Sequence, residues 1–540
     1  MTQIESRAAS PALAVGTSAA DSTGRPWFEA EMAKRREFAL AMGGPDKIER
    51  QHARGRLTAR ERIERLVDEG SWREIGMMTG SARYDERGQL ISVEPSNVVC
   101  GQAKVDGRDV ILVAEDFTVR GGSSEATNPE KWQYVERLAL TYRWPVIRLV
   151  ETAGGSVNLL EQMSATKIPG YPHWPMTELL GTVPVVGVAL GAAAGLGAVR
   201  VCASHLSIMT AEGSYLFAGG PAVVKKAVGE DVTNAELGGS GVHARGSGVV
   251  DNEAADEFEA LEQVVRFLSY LPSSVHELPP VTPCADPVDR RDEALSTTIP
   301  AIKQYSYDMR ELLASVFDDG SLFETGRYFG QSQITMLARL DGHPVAVLAN
   351  DPMWLGGSLT VDSAEKITRF VDMADTFHLP VVNLIDQPGT FVGSDAEQKG
   401  TLRKGIRTAM ALEQARVPWL SLFVRRAYGL AGAAYGPVGG GSINRRLAWP
   451  TAHWGSIPIE GGVEAAYRRT LAESDDPAAL RKELYARFQP VENPFRTAER
   501  FGIQDLIDPR DTRPMLCEWV RQAYRILPGH LGTTARSMRA

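Results

Sequence analysis

Two short stretches nearly devoid of large side chains stand out as places where backbone groups could do chemistry. One reads Gly191-Ala-Ala-Ala-Gly195-Leu196-Gly197-Ala198, the other Tyr428-Gly429-Leu430-Ala431-Gly432-Ala433-Ala434-Tyr435. Small residues let a ligand reach the main chain, and glycine tolerates positive φ. A turn of this kind that opens a helix can aim two N–H groups at one oxygen, which stabilises an oxyanion. Tight helix–strand packing also demands glycine and alanine, so either stretch alone supports both readings. Gly195 and Gly429 lie 234 positions apart, and both stretches follow an apolar run, which favours a paired chemical role.

That spacing belongs to a longer repeat. Asp106-Gly107, the run Val110 to Val113 and Gly121-Gly122-Ser123 recur as Asp341-Gly342, Val345 to Leu348 and Gly356-Gly357-Ser358. Trp144-Pro145-Val146, leading to Glu151, recurs as Leu379-Pro380-Val381, leading to Asp386. One register held across so many landmarks indicates two homologous domains. We place them at residues 25–285 and 286–540, joined through the proline-rich stretch Leu278 to Pro287, with a disordered segment at residues 1–24. Each half alternates apolar runs with helical patterns. Val146 to Val150 follows Lys131 to Thr141, and Val382 to Ile385 follows Ala364 to Phe377, which predicts βα units in a mostly parallel α/β sheet. Thr58-Ala-Arg-Glu61 is a capping box ahead of Ile63 and Leu66.

Other chemistries find little support. Gly195-x-Gly197-x-x-Arg200 lacks the third glycine of a dinucleotide fingerprint, and no phosphate-binding P-loop occurs. Ser164-Ala-Thr-Lys167 matches S-x-x-K without its companions. The nine histidines show no zinc spacing, so no metal is expected, and structural roles are expected for His243 and His453. Cys100, Cys202, Cys284 and Cys517 are not paired at metal spacing, which predicts free thiols in a reducing cytoplasm. A net charge of −9 argues against a nucleic-acid partner. The longest weakly polar run, Val183 to Val199, is interrupted by Pro184 and several glycines and reads as a buried strand and turn rather than a membrane span. Glu151 and Asp386 close equivalent strands and are expected to cap turns. Asp116 fits a turn cap or a substrate contact equally.

Longer motifs resemble a known family. Glu49-Arg-Gln-His-Ala-Arg-Gly55-Arg-Leu-Thr58-Ala-Arg-Glu-Arg, Glu115-Asp-Phe-Thr-Val119 with Gly121-Gly-Ser123, and Gly213-Ser-Tyr-Leu-Phe217 running on to Gly238-Gly239 are similar to carboxyltransferase (beta) subunits of biotin-dependent acyl-CoA carboxylases. Asp386-Gln-Pro-Gly389 and Ala448-Trp-Pro-Thr-Ala452 extend the likeness, which covers roughly residues 30 to 525.

The resemblance implies two crotonase-like halves, each a β-β-α superhelix. It implies acyl-CoA held by the N-half and biotin by the C-half, at an interface between subunits of a homo-hexamer. It places backbone donors at Gly195, Leu196 and Gly197, and at Gly429, Ala431, Gly432 and Ala433. Substrate contacts fall at Phe117, Gly121, Gly122, Gly154, Gly155, Tyr215, Phe217, Tyr435 and Gly436. The implied reaction moves a carboxyl group from carboxybiotin to the α, or vinylogous γ, carbon of an acyl-CoA, with the cofactor supplying the base. Neither an A-M-K-M biotinylation sequence nor an ATP-binding loop is present, so the resemblance implies a partner with biotin carboxylase and biotin carrier functions. The chain departs from the propionyl-type pattern at Leu196, where a second glycine is usual, and at Gly436, which takes the place of a specificity-linked aspartate. Its C-half turn is closer to methylcrotonyl-type subunits. The same fold also serves biotin-dependent acyl-CoA decarboxylases. Crotonase-like hydratases and isomerases need one such unit and usually a carboxylate base, and a non-catalytic scaffold would keep only the interface.

Overall fold

The computed structural model describes residues 27–166, 170–171, 173–435 and 444–534. Residues 1–24, expected to be disordered, and Gly436 lie outside them. The architecture is α/β, with two eight-stranded sheets of matching topology.

Apart from a separate hairpin of Gly80–Tyr84 with Leu90–Pro95, the N-half sheet is built from β1 (Arg73–Glu74), β2 (Val98–Val105), β3 (Arg108–Glu115), β4 (Val146–Thr152), β5 (Val185–Ala194), β6 (Leu206–Thr210), β7 (Tyr215–Phe217) and β8 (Asn252–Ala254). They run β1-β2-β3-β4-β5-β6-β8, and β7 adds to the far end of β5. Only β1/β2 and β2/β3 pair antiparallel, and the rest are parallel. The C-half repeats this with β9 (Phe323–Thr325), β10 (Gln333–Leu340), β11 (His343–Asn350), β12 (Val381–Gln387), β13 (Trp419–Tyr428), β14 (Asn444–Ala448), β15 (His453–Gly455) and β16 (Asp505–Leu506). Every residue of β4 and β12 is buried, as expected for parallel strands covered on both faces.

The expected helices stand at Pro129–Tyr142 and Val361–Thr376, crossing from β3 to β4 and from β11 to β12. The capping box forms at Ala59–Leu66, where Thr58 N–H donates to Glu61 Oε2 at 2.7 Å. The run from Val183 becomes β5, but its last residues turn into the helix Leu196–Cys202. All four cysteines are free thiols. Among the described residues no helix is long and apolar enough to cross a membrane.

The repeat reaches backbone detail. Asp106 and Asp341 have φ of +50° and +51°, Arg143 and His378 +59° and +58°, and Gly195 and Gly429 +58° and +64°. Lys131 Nζ donates to Val98 O at 2.6 Å, and Lys366 Nζ to Gln333 O at 2.7 Å, tying helix to strand at the same place in each half. One apolar core runs through both halves, from Phe267 and Tyr270 to Phe323, Phe370 and Phe377. Across it Arg369 pairs with Asp251 at 2.8 Å.

Matched glycines allow a controlled test of this junction. Gly107 and Gly342 share φ near +75°, but a Cβ at Gly107 meets nothing within 4 Å, whereas one at Gly342 would lie 1.8 Å from Thr282 O in the linker. Gly107→Ala should cost only the left-handed backbone penalty, about 1–2 kcal/mol. Gly342→Ala should cost about 1–3 kcal/mol more, from overpacking. Urea unfolding of both variants measures the difference, and equal values would mean that the linker does not rest on this turn.

Candidate active site

In the N-half, β5 ends at Ala194, Gly195 takes φ +58° and ψ −117°, and the helix Leu196–Cys202 begins. Gly195 N–H donates to Phe217 O at 3.0 Å, so it is used in pairing β5 with β7 and is not a free donor. The donors left at this helix start are the N–H groups of Leu196 and Gly197, which have no carbonyl within the helix to bond. Gly197 is required for space, since a Cβ there would sit 2.3 Å from Thr152 Cγ2. The Leu196 side chain packs on the apolar cluster around Trp132 and Val185, with Trp174 and Met176. Its size therefore does not fill the rim.

Two loops complete this rim. Arg120, Gly121 and Gly122 are consecutive left-handed residues, with φ of +52°, +61° and +64°. Gly121 O accepts from Ala153 N–H at 2.9 Å, and Ser124 N–H donates to Gly154 O at 2.9 Å. A Cβ on Gly154, at φ +83°, would lie 3.0 Å from Ala194 O, while Gly155 is exposed with open space around it. Phe117 lies beside Gly121. Tyr215 and Phe217 sit on β7 opposite Ala192 and Ala194, and the Phe217 ring lies against Gly220 and Gly238. The structure thus gathers Phe117, Gly121, Gly122, Gly154, Leu196, Gly197 and Phe217 around the ends of β4 and β5, with Gly155 and Tyr215 at the margin.

The C-half repeats the frame with other side chains. Leu355, Gly356 and Gly357 have φ of +49°, +65° and +85°. Leu359 N–H donates to Gly389 O at 3.1 Å, the counterpart of Ser124 to Gly154. Gly154 N–H donates to Thr152 Oγ1 at 3.0 Å, and Gly389 N–H to Gln387 Oε1 at 2.9 Å. Gly429 opens the helix Gly429–Ala434 at φ +64°, and among the described residues an added Cβ would meet only Ser456 O, 3.7 Å away. Gly432 is a packing position, because a Cβ there would lie 2.6 Å from Ala427 C. Ala431 is buried and Ala433 exposed. Tyr435 stands apart from any rim. Its ring is 1% exposed, its hydroxyl donates to Gln333 Oε1 at 2.9 Å, and its carbonyl accepts from Asn383 Nδ2 at 2.7 Å. It supports the core and is out of a substrate's reach.

Beneath each rim lies a buried carboxylate that does not cap a turn, contrary to expectation. Glu151 Oε2 accepts from Gln51 Nε2 at 2.8 Å and lies 2.7 Å from Arg62 Nη1, and its Oε1 accepts from Arg56 Nη1 at 3.0 Å. Burial pushes its pKa up, and Arg62 and Arg56 oppose that. Arg62 also bonds both oxygens of Glu257 and the carbonyl of Leu190. Gly191 makes room for the carboxylate, since a Cβ would fall 2.4 Å from Glu151 Oε1. Asp386 accepts from Tyr307 Oη at 3.1 Å, Arg425 Nε at 2.9 Å and Arg426 Nε at 2.6 Å, and Arg426 Nη2 reaches Gly356 O at 2.9 Å. Asp116 is a cap, accepting from Thr118 N–H at 2.9 Å and from Ala59 N–H at 3.3 Å. His243 Nε2 bonds Leu216 O at 2.8 Å, a structural role.

Comparison with known proteins bears on this geometry. Residues 50–525 match the model of the carboxyl transferase domain family. The chain is 36% identical over 489 residues to a propionyl-CoA carboxylase beta chain from Cereibacter sphaeroides, covering 89% of this chain and 94% of the relative. It is 31% identical to the methylmalonyl-CoA decarboxylase subunit alpha of Veillonella parvula, over 88% of this chain and 91% of that one. The structure is similar to a transcarboxylase 12S hexamer with methylmalonyl-CoA bound, at a TM-score of 0.83 and 28% identity, over 97% of this chain and 99% of that one.

Two substitutions test how the rims are held. Arg62→Ala leaves Glu151 and Glu257 buried without their shared cation and should cost about 3–5 kcal/mol. Gly432→Ala should cost about 1–3 kcal/mol, because the helix Gly429–Ala434 cannot stay seated on Ala427. Chemical denaturation measures both, and a Gly432→Ala chain as stable as the parent would contradict that seating.

Proposed function

The chain belongs to the carboxyl transferase domain family, and we propose that it moves a carboxyl group from carboxybiotin, carried on a partner subunit, to the α-carbon of an acyl-CoA. The observation that carries this reading is the pair of equivalent helix starts, each formed around a left-handed glycine, Gly195 or Gly429, and flanked by a left-handed Gly-Gly loop. Carboxyl transfer develops negative charge on two oxygens in turn, one on each substrate, so two separate sets of backbone donors suit it.

We assign the acyl-CoA to the N-half. The N–H groups of Leu196 and Gly197 are the donors for the thioester oxygen as it becomes an enolate. Gly121, Gly154 and Gly155 let the thioester approach the main chain, and Phe117 and Phe217 provide apolar wall. We assign biotin to the C-half, within the fold's second unit at residues 286–540. The fit rests on Gly429, where among the described residues an added Cβ would meet only Ser456 O at 3.7 Å, beside first-turn N–H groups, and such donors match a urea oxygen. Bound there, carboxybiotin would supply both the carboxyl group and a nitrogen base for the α-proton. Leu430, Ala431 and Gly429 would hold the urea oxygen, and Arg426 keeps the Gly356 loop in place beside them. The protein need not contribute a side-chain base.

Among the described residues neither half encloses its rim. Val157, Leu160 and Met163 in the N-half and Val392, Leu402 and Leu430 in the C-half are exposed apolar residues. A second copy of the chain, arranged as in the similar transcarboxylase hexamer, would cover them and bring an N-half rim opposite a C-half rim. The likeness to a decarboxylase subunit keeps one alternative in view, the same transfer run from a carboxylated acyl-CoA to biotin.

Fixation of labelled bicarbonate by this chain with its biotin-bearing partner, ATP and a panel of acyl-CoAs tests the proposal. Incorporation with one acyl-CoA is expected. Decarboxylation without ATP-dependent fixation would favour the alternative, and neither activity would overturn both. Leu196→Pro then tests the donor. Proline at the first helical position removes the N–H and is tolerated by a helix there, and Leu196→Ala, which keeps the N–H but removes the side chain packed near Trp132, is the control for lost packing. The turnover rate should fall about 10²–10³-fold, whereas undiminished turnover would exclude that N–H from the reaction.

A further inference from the structure

The two halves share a backbone frame, so the side chains that differ at equivalent positions show where their tasks diverge. The clearest divergence is at the last residue of the strand leading into each helix. In the N-half it is Ala194, paired with Phe217. In the C-half it is Tyr428, paired with Gly455. Tyr428 is 4% exposed, and its hydroxyl lies 2.5 Å from Glu492 Oε1 and 2.8 Å from His453 Nδ1. Glu492 Oε2 in turn accepts from Lys303 Nζ at 3.1 Å.

The hydrogen-bond directions are fixed by chemistry. Tyr428 has one hydroxyl hydrogen, and burial keeps it protonated by pushing its pKa up. Glu492, bonded to a lysine, is an acceptor only, so the hydroxyl donates to it. His453 Nδ1 must then be the N–H that donates to the Tyr428 oxygen. Burial first, and Lys303 next, hold the His453 pKa below its usual value, while Glu492 and Asp386 oppose them and Arg426 assists them.

Glu492 does not belong to the repeated frame. It closes the short turn Gln489–Glu492 within a helical segment, residues 459–498, that has a small core of its own at Val463, Leu471 and Leu484. The segment also reaches β15 where Trp454 Nε1 donates to Thr497 Oγ1 at 3.2 Å. The clamp thus draws on β15, this helical segment and the stretch at Lys303, and it closes on the residue just before Gly429.

We propose that Tyr428 is a positioning residue for the biotin side of the reaction, held by Glu492 and His453 so that the Tyr428–Gly429 turn presents its N–H groups in one fixed geometry. This rests on the assignment of biotin to the C-half. Because the N-half has alanine at the equivalent position, the clamp acts on one substrate and leaves the other untouched.

The test uses the complete complex with its biotin-bearing partner for the forward reaction, and this chain with free biotin as acceptor and the carboxylated acyl-CoA as donor for the reverse transfer. Tyr428→Phe and Glu492→Ala should each lower kcat/KM for free biotin about tenfold, the effect of one lost positioning hydrogen bond. KM for the acyl-CoA should stay within about twofold, since that substrate sits in the other half. Glu492→Gln keeps an acceptor oxygen and should restore most of the loss. Equal losses toward both substrates, no loss at all, or a Glu492→Gln variant as impaired as Glu492→Ala would each overturn the inference. Because Glu492 lies in the partly exposed helical segment outside the repeated sheet, its variants report even if Tyr428→Phe fails to fold. A wild-type chain that transfers no carboxyl group in either direction would instead overturn the proposed function, and an active wild type beside unchanged variants overturns only the clamp.

Discussion

A carboxylate buried at the C-terminal end of the fourth strand in each sheet holds the rest of the site together. An ionised carboxylate out of water is costly unless cations and donors surround it. Glu151 meets that requirement with Gln51, Arg56 and Arg62, which lie about a hundred residues earlier in the chain, and so draws the segment ahead of β1 onto the sheet. Asp386 meets it with Arg425 and Arg426 on the neighbouring strand and Tyr307 from the linker side. In the C-half the second of those arginines goes on to the Gly356 loop. The charge that must be neutralised and the loop that must be placed are thus handled by one guanidinium.

The internal repeat separates what the frame needs from what each half does. The hydrogen bond from Ser124 to Gly154 recurs as Leu359 to Gly389, with a glycine acceptor in both halves but an unrelated donor side chain, because the backbone path alone demands it. Thr152 and Gln387 make the same bond to the following glycine with a hydroxyl and an amide. The N-half end of β5 is apolar, with Ala194 and Phe217, which suits an acyl thioester. The C-half end of β13 carries the polar clamp of Tyr428, His453 and Glu492, which suits a rigid, polar urea.

Much of this was legible in the sequence, and the part that was not shares a cause. The repeat, the strands and crossover helices, and the capping box at Thr58 depend on local pattern, and the structure reproduces them within a few residues. The glycine turns were also found, but their individual duties were not. Gly195 lends its N–H to β7, and Gly197 and Gly432 leave room for Thr152 and Ala427, because those duties depend on which strand lies alongside. Tyr435 looked like a binding residue by its place after the turn, but a helical turn carries its ring into the core. Glu151 and Asp386 looked like turn caps because their arginines are remote in sequence or adjacent on a strand whose register the sequence does not give.

The proposed division of labour gives the two helix starts two different substrates. A cryo-EM structure of the chain assembled with acyl-CoA and biotin tests it most directly. The expected result is the thioester oxygen within hydrogen-bonding distance of the Leu196 and Gly197 N–H groups of one copy, and the urea oxygen of biotin at the start of the helix Gly429–Ala434. Both ligands bound in the same half, or a thioester placed away from Leu196 and Gly197, would contradict it.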